Sequence, residues 1–237
     1  MQQVRKLLTS RKAREAAGLF VSDGTKLLKE AAAHCPGLET AFLCDGVEVE
    51  LPENVRAVRV SKEVMEAISP METPQGAVFL CRLPEKKSFV PEKGMLLLDG
   101  IQDPGNVGTI LRTADAFDCD GVFLVNACAD PYSPKTARAT MGAVFRRDVY
   151  QCTADELCAL LQKSNLPLYG TALRNDTVSL RDAELSRAAV AIGSEGRGLS
   201  AEILSKCEKT IKIPMSPRCE SLNAAVAASV VLWEMYR

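Results

Sequence analysis

Histidine is almost missing from this chain: His34 is the single one among 237 residues. It closes an Ala-rich helical stretch ahead of Cys35 and Pro36, the setting of a structural or solvent-facing residue, so acid and base chemistry has to proceed without imidazole. Nine cysteines are present, but the number is odd, they are scattered, and no C-x-x-C pair occurs. That pattern argues against a disulfide framework and against a zinc site, and leaves buried reduced thiols. No apolar core lies within the polar, basic stretch from Met1 to Arg14, so no secretory signal is read there. The longest apolar run, near the C-terminus, is too short to span a bilayer. Repeats and low-complexity tracts are lacking as well. The expectation is a soluble cytoplasmic protein, 47% hydrophobic and 25% charged, long enough for one large or two small domains.

Net charge is also close to absent, at −1, so any attraction to nucleic acid has to come from how charge is distributed. Arg5, Lys6, Arg11, Lys12 and Arg14 crowd the first fourteen residues without an acid, whereas Glu48, Glu50 and Glu53 form an acidic patch. A basic run of this kind either contacts phosphates or is a solvated helix face.

What the chain does contain is alternation of helical and extended patterns. Val4 to Glu15 reads as a basic helix, Leu19 to Ser22 as a strand, Lys26 to Ala33 as a helix and Thr40 to Cys44 as a strand. Val55 to Val60 is extended, Ser61 caps a helix over Lys62 to Ile68, and Gly76 to Arg82 is extended again. This predicts a small α/β/α unit over residues 1–88. Leu83 to Gly94, rich in Pro and Lys, reads as a linker with the boundary near residue 88. Over residues 89–237 strands alternate with helices: Met95 to Leu98, Val122 to Val125, Leu166 to Gly170, Ala188 to Ile192 and Thr210 to Ile213 are the candidate strands. The predicted fold is α/β, a mainly parallel sheet with helices on both faces, whose ligands gather at the carboxyl ends of the strands.

Three segments run from a strand through a turn into a helix at that edge. Leu96 to Arg112 reads LLLDGIQDPGNVGTILR, Val190 to Leu199 reads VAIGSEGRGL, and Ile211 to Trp233 reads IKIPMSPRCESLNAAVAASVVLW. In the third, Pro214 stops the strand and the helix restarts at Ser221, which stands where an N-cap would, with the Asn223 amide two residues on. G-x-G-x-x-G spacing and its downstream acid are missing, which disfavours a domain binding a nucleotide such as NAD.

In the order N-x-G-x-x-x-R, G-x-E-G-x-G and I-P-M…S-L-N, the three closely resemble the sequence blocks of the SpoU-type (SPOUT-class) RNA ribose 2′-O-methyltransferases. Each Gly-rich turn is common by itself; their order and spacing together are specific. The resemblance covers residues 92–237, and more loosely the N-terminal third through G-L-F-V-S-D-G and E-T-P-Q-G-A-V-F. It implies a trefoil knot, which pattern reasoning would have excluded. It also implies a ribosomal-protein-like N-terminal domain that grips RNA, a homodimer built partly on the Ala-rich last helix, and S-adenosylmethionine as methyl donor without a metal. The RNA is expected to be rRNA, with tRNA the nearest rival and a noncatalytic RNA-binding or ribosome-assembly factor the alternative of another class.

Residue by residue, the resemblance assigns Gly193, Ile213 and Leu222 to the cofactor, and Arg112, Asn106, Glu195, Ser221 and Asn223 to the catalytic and acceptor site. A guanidinium holds its proton too tightly for Arg112 to be a good base. Its expected part is to clamp an RNA phosphate that shares the acceptor proton. Core packing competes for Ile213 and Leu222, capping for Ser221 and Asn223, and an ion pair with Asp115 for Arg112. Arg11, Arg14 and Arg138 are the RNA-binding candidates, the last within the basic segment Ser133 to Arg147 with Lys135, Arg146 and Arg147. The turn Ser216 to Glu220 departs from the family, with Pro217, Arg218 and Cys219 in place of smaller residues.

Overall fold

Ser10 breaks the stretch read as one basic helix into α1 (Gln2–Thr9) and α2 (Arg11–Ala17). Its backbone is extended and its hydroxyl accepts the Ala13 N–H at 3.2 Å, so it caps a second helix instead of continuing the first. Gly18, at φ 64°, ends α2 and turns the chain into β1 (Leu19–Asp23). There follow α3 (Thr25–His34), β2 (Leu38–Leu43), β3 (Arg56–Arg59), α4 (Lys62–Ile68) under its expected Ser61 cap, and β4 (Ala77–Arg82). These strands form a sheet in the order β1-β4-β2-β3, with β4 antiparallel to both neighbours and β2 parallel to β3.

The second sheet begins with β5 (Met95–Asp99), α5 (Pro104–Ala116) and β6 (Gly121–Val125). The chain then spends residues 130–146 in the first unit, through α6 (Pro134–Ala139) and a 3-10 turn at Ala143–Phe145. It continues with β7 (Val149–Gln151), α7 (Ala154–Ser164), β8 (Leu168–Thr171), β9 (Val178–Ser179), β10 (Ala189–Gly193), α8 (Ala201–Lys206), β11 (Lys209–Lys212) and α9 (Ala224–Met235). All seven strands are parallel, in the order β7-β6-β5-β10-β8-β11-β9. The five expected strands are all present; β7 and β9, of three and two residues, are too short to show a period.

Strand alternation decides what covers each face of this sheet. Leu96, Leu98, Val190 and Ile192 share a core with α5 and α9, while Met95, Leu97, Ala189 and Ala191 share one with α7 and α8. All four residues from Met95 to Leu98 are fully buried, so each contributes about 2 kcal/mol of apolar burial. The computed structural model describes residues 2–85, 89 and 91–237. Its two units are Met1–Glu85 with Asp130–Arg146, and Lys86–Ala129 with Arg147–Arg237. The boundary expected near residue 88 lies outside the described residues. No helix among them is long and apolar enough to cross a membrane.

The excursion at 130–146 carries basic residues that pair with carboxylates. Tyr132, Ala137, Val144 and Phe145 fill the core of the first unit, with Tyr132 5.1 Å from the Phe20 ring and Phe145 6.0 Å from Phe79. Arg14 is only 4% exposed: its guanidinium holds the Asp130 carboxylate through Nε at 3.0 Å and donates to the Leu7 carbonyl at 2.6 Å. It is therefore a buried structural cation and not an RNA contact, because its donors are already spent inside the protein. Arg138 is paired with the buried Asp23 at 2.8 Å and Arg146 with Glu30. Arg147, in the second unit, holds Asp115 at 2.9 Å and also Asp118. Arg11 is exposed, beside Glu15 at 2.7 Å.

Candidate active site

The carboxyl ends of β5, β10 and β11 lead into the three motif segments. Asp103 caps α5: its Oδ1 accepts the Asn106 N–H at 2.8 Å, and Pro104 occupies the first turn, where a missing N–H costs nothing. That places the Asn106 side chain on the first turn of α5. Midway through the third segment Asn223, and not Ser221, caps α9, its Oδ1 accepting the N–H groups of Ala225 at 3.0 Å and Val226 at 3.3 Å. The expected cap at Ser221 is corrected by two residues, because an amide oxygen reaches the free donors of the first turn from position 223.

With its oxygen committed to the cap, the Asn223 amide must point its nitrogen outward. Nδ2 donates to Glu195 Oε1 at 2.6 Å and to Asn106 Oδ1 at 3.0 Å. Asn106 Nδ2 donates to the same Glu195 oxygen at 2.7 Å, and the Ala224 N–H joins it at 3.3 Å. Glu195 Oε1 is thus the hub on which all three segments meet, at the positive N-terminus of α9. Its other oxygen, Oε2, has no hydrogen bond among the described residues, and the side chain is exposed.

Gly193 ends β10 beside Asp99, its register partner on β5. A Cβ there would lie 2.2 Å from the carbonyl carbon of Gly198 and 2.3 Å from the Leu199 nitrogen. Ser194 and Gly198 exchange backbone hydrogen bonds of 3.1 and 2.8 Å, folding the turn back onto Gly193. The glycine is required by the chain's own close approach, so any contact it offers a ligand is through its backbone.

Arg112 and Ser221 are not part of the polar hub. Arg112 lies six residues beyond Asn106, about 9 Å further along α5 and about 120° around it. It is exposed and makes no hydrogen bond or ion pair with another described residue, and the Asp115 carboxylate is held by Arg147. Ser221 is likewise exposed, and no hydrogen bond of its side chain is found among the described residues. Ile213 and Leu222 are half-buried, Ile213 packed on the core shared with α5 and α9.

Two further apolar side chains flank this edge, Met215 at 40% exposure and Leu173, just past β8, at 78%. Sequence reading overlooked both; the signal was a large apolar residue inside an otherwise polar turn, A-L-R-N-D for Leu173 and P-M-S-P for Met215. The backbone N–H groups of Met215 and Leu222 find no partner among the described residues. Apolar walls beside unspent backbone donors are what an adenine ring and its hydrogen-bonding edge require, so these residues fit S-adenosylmethionine.

A helix-covered parallel sheet whose three motif turns meet on one carboxylate defines a class, and the chain belongs to it: the SpoU rRNA methylase family. Residues 93–233 match that family and residues 1–78 match the MRM3-like substrate binding domain. The chain is 32% identical to the 23S rRNA (guanosine(2553)-2′-O)-methyltransferase RlmP of Bacillus subtilis, over 97% of its own length and 93% of the relative's. Among solved structures, an RNA methyltransferase of the TrmH family from Porphyromonas gingivalis superposes with a TM-score of 0.88 at 34% identity, covering 100% of this chain and 97% of that one. An AdoMet-bound rRNA methyltransferase from Sinorhizobium meliloti superposes at 0.87 with 26% identity, covering 99% and 92%. S-adenosylmethionine is the cofactor of this enzyme class.

Proposed function

We propose that this protein methylates a ribose 2′-hydroxyl in rRNA, taking the methyl group from S-adenosylmethionine. The observation that carries the reading is the convergence of Asn106, Glu195 and Asn223 on one carboxylate oxygen at the ligand edge of the sheet. The rRNA substrate is supported by the RlmP relative, which matches both units over nearly the whole chain. The bound cofactor supplies a sulfonium-activated methyl group; the protein's part is to place the acceptor oxygen in line with it and to accommodate the departing proton. Ile213 and Leu222 wall the cofactor, with Met215, Leu173 and the Gly193 backbone beside them. Glu195 is oriented through Oε1, which leaves Oε2 to face the acceptor side with Ser221. Arg112, exposed and unpaired, clamps the adjoining phosphate, and that phosphate shares the hydroxyl proton.

Residues 1–78 are the RNA-gripping part, with Arg11 exposed for phosphate contact. A homodimer is supported by Val226 at 49% and Trp233 at 61% exposure, one i, i+7 pair on α9 beside Phe117. The trefoil knot is supported by the strand order, in which β10 returns between β5 and β8 after the chain has passed through edge strand β9. A cytoplasmic location is supported by the similarity to the bacterial RlmP relative.

The test is transfer of tritiated methyl from S-adenosylmethionine to total RNA, followed by mapping of the 2′-O-methylated nucleotide. Incorporation into rRNA supports the reading; incorporation into tRNA moves the substrate, and none with any RNA leaves a noncatalytic RNA-binding factor. Arg112→Ala is expected to stay folded, bind the cofactor in calorimetry and lose transfer by about a hundredfold or more. Unchanged turnover would remove Arg112 from the mechanism.

A further inference from the structure

The second motif turn is held at its exit by a buried carboxylate that the proposed chemistry does not use. Asp99, the last residue of β5, is only 2% exposed. No cation pairs with it among the described residues. Its Oδ2 accepts the Ser200 N–H at 2.6 Å and its Oδ1 accepts the Asn126 amide at 2.8 Å. The same amide reaches Ser200 Oγ at 3.3 Å. Burying a charge without a counter-ion is costly, and such an arrangement persists where the charge fixes a geometry through short, charge-assisted bonds.

The other end of this contact has an unusual backbone. Asn126 and Ala127 are consecutive non-glycine residues with φ of 53° and 57°, the left-handed region that L side chains avoid. That backbone aims the Asn126 amide at Asp99. Ser200 is the cap of α8 and directly follows Leu199, whose backbone nitrogen packs against Gly193. The turn from Ser194 to Leu199 is therefore fixed at its entry by β10 and at its exit by Asp99, and between those points it carries Glu195.

We propose that Asp99 is a positioning residue for the methyl transfer, holding the Glu195 carboxylate in register with Asn106 and Asn223 by clamping Ser200. This rests on the function proposed above. Asp99→Asn is a conservative probe: the new Oδ1 still accepts the Ser200 N–H, and an amide flip at Asn126 restores a donor and acceptor match. What is lost is the charge that makes both bonds short.

The experiment is a double-mutant cycle in the full-length protein, Asp99→Asn with Glu195→Gln, read as kcat and KM for methyl transfer to total rRNA. Expected are a folded Asp99→Asn protein with a KM for S-adenosylmethionine near that of the parent, and kcat lower by about ten- to a hundredfold. In the Glu195→Gln background the same change is expected to have little further effect, because it acts through Glu195. Additive losses, or an Asp99→Asn protein as fast as the parent, would overturn the proposal. If Asp99→Asn fails to fold, Asn126→Gly decides: glycine tolerates the positive φ, deletes the amide and should reproduce the non-additive kcat loss, with additivity or no loss refuting it. A parent protein that transfers no methyl group overturns the function and this role together, whereas an active parent with an indifferent Asp99→Asn overturns this role alone.

Discussion

Glu195 accepts from two amides and a helix N-terminus through one oxygen, an arrangement that a motif letter cannot express. The Asn and Glu of the three blocks were legible as candidates only through the resemblance of those blocks to the family. Their mutual contact was not, since 89 residues separate Asn106 from Glu195 in the chain. Arg14 and Arg11 show the same limit from the other side: three residues apart in one basic run, one is buried against Asp130 and the other exposed. A titration prediction concerns Cys35. The hydrogen bond from the Cys81 thiol pulls the Cys35 thiol down to about 7 from its ordinary 9.0, against the opposing effect of burial, with the Gly37 and Leu38 N–H groups helping. The neighbouring Cys35 thiol, together with burial, pushes the Cys81 thiol up. A thiol held below its unfolded value favours the fold above pH 9 and loses that contribution as pH falls through about 7. Iodoacetamide labelling of Cys35 should therefore reach half its maximal rate near pH 7, and Cys81→Ala should move that midpoint upward; a parent midpoint near 9 would contradict the pairing.

The elements themselves were the most readable part. Ser61, Asp103, Thr153 and Asn223 begin helices by local capping, with Thr153 and Glu156 forming a complete capping box. Five of the seven strands in the larger sheet announced themselves as apolar runs. Ser10 went unread as a break because its apolar neighbours keep a helical period across it, and Ser221 displaced Asn223 as the expected cap because either can serve by composition. The second turn depends on Gly193 more steeply than its letter suggests. Gly193→Ala should place a methyl group within 2.2 Å of the Gly198 backbone, costing about 1–3 kcal/mol in thermal or urea melts and abolishing cofactor binding in calorimetry. Retained affinity would show that the turn can open without harm.

Across the whole chain, the division into units is where linear reading and contact part company. Because Tyr132, Ala137, Val144 and Phe145 complete the core around Phe20 and Phe79, a fragment of residues 1–85 should be unfolded by NMR while the full chain is folded. A well-dispersed spectrum from the fragment would show that the excursion is dispensable. For the proposed assembly, the parent should sediment as a dimer and Trp233→Glu as a monomer, as a charge on an exposed apolar face opposes isologous packing. Among the small residues of α9, Ala224, Ala225 and Ala228 are buried where α5 and α9 pack together against the sheet, so they do not contribute to that face. Periodicity, capping and the spacing of three motif turns are local properties, governed by neighbours within a few residues, so they could be read directly and led to the parallel sheet and the family. Which arginine is buried, where residues 130–146 go and which oxygen the three turns share depend on residues far apart in the chain. Those choices were made only when packing brought the distant groups together, since the free energy of each contact exists only in the folded arrangement.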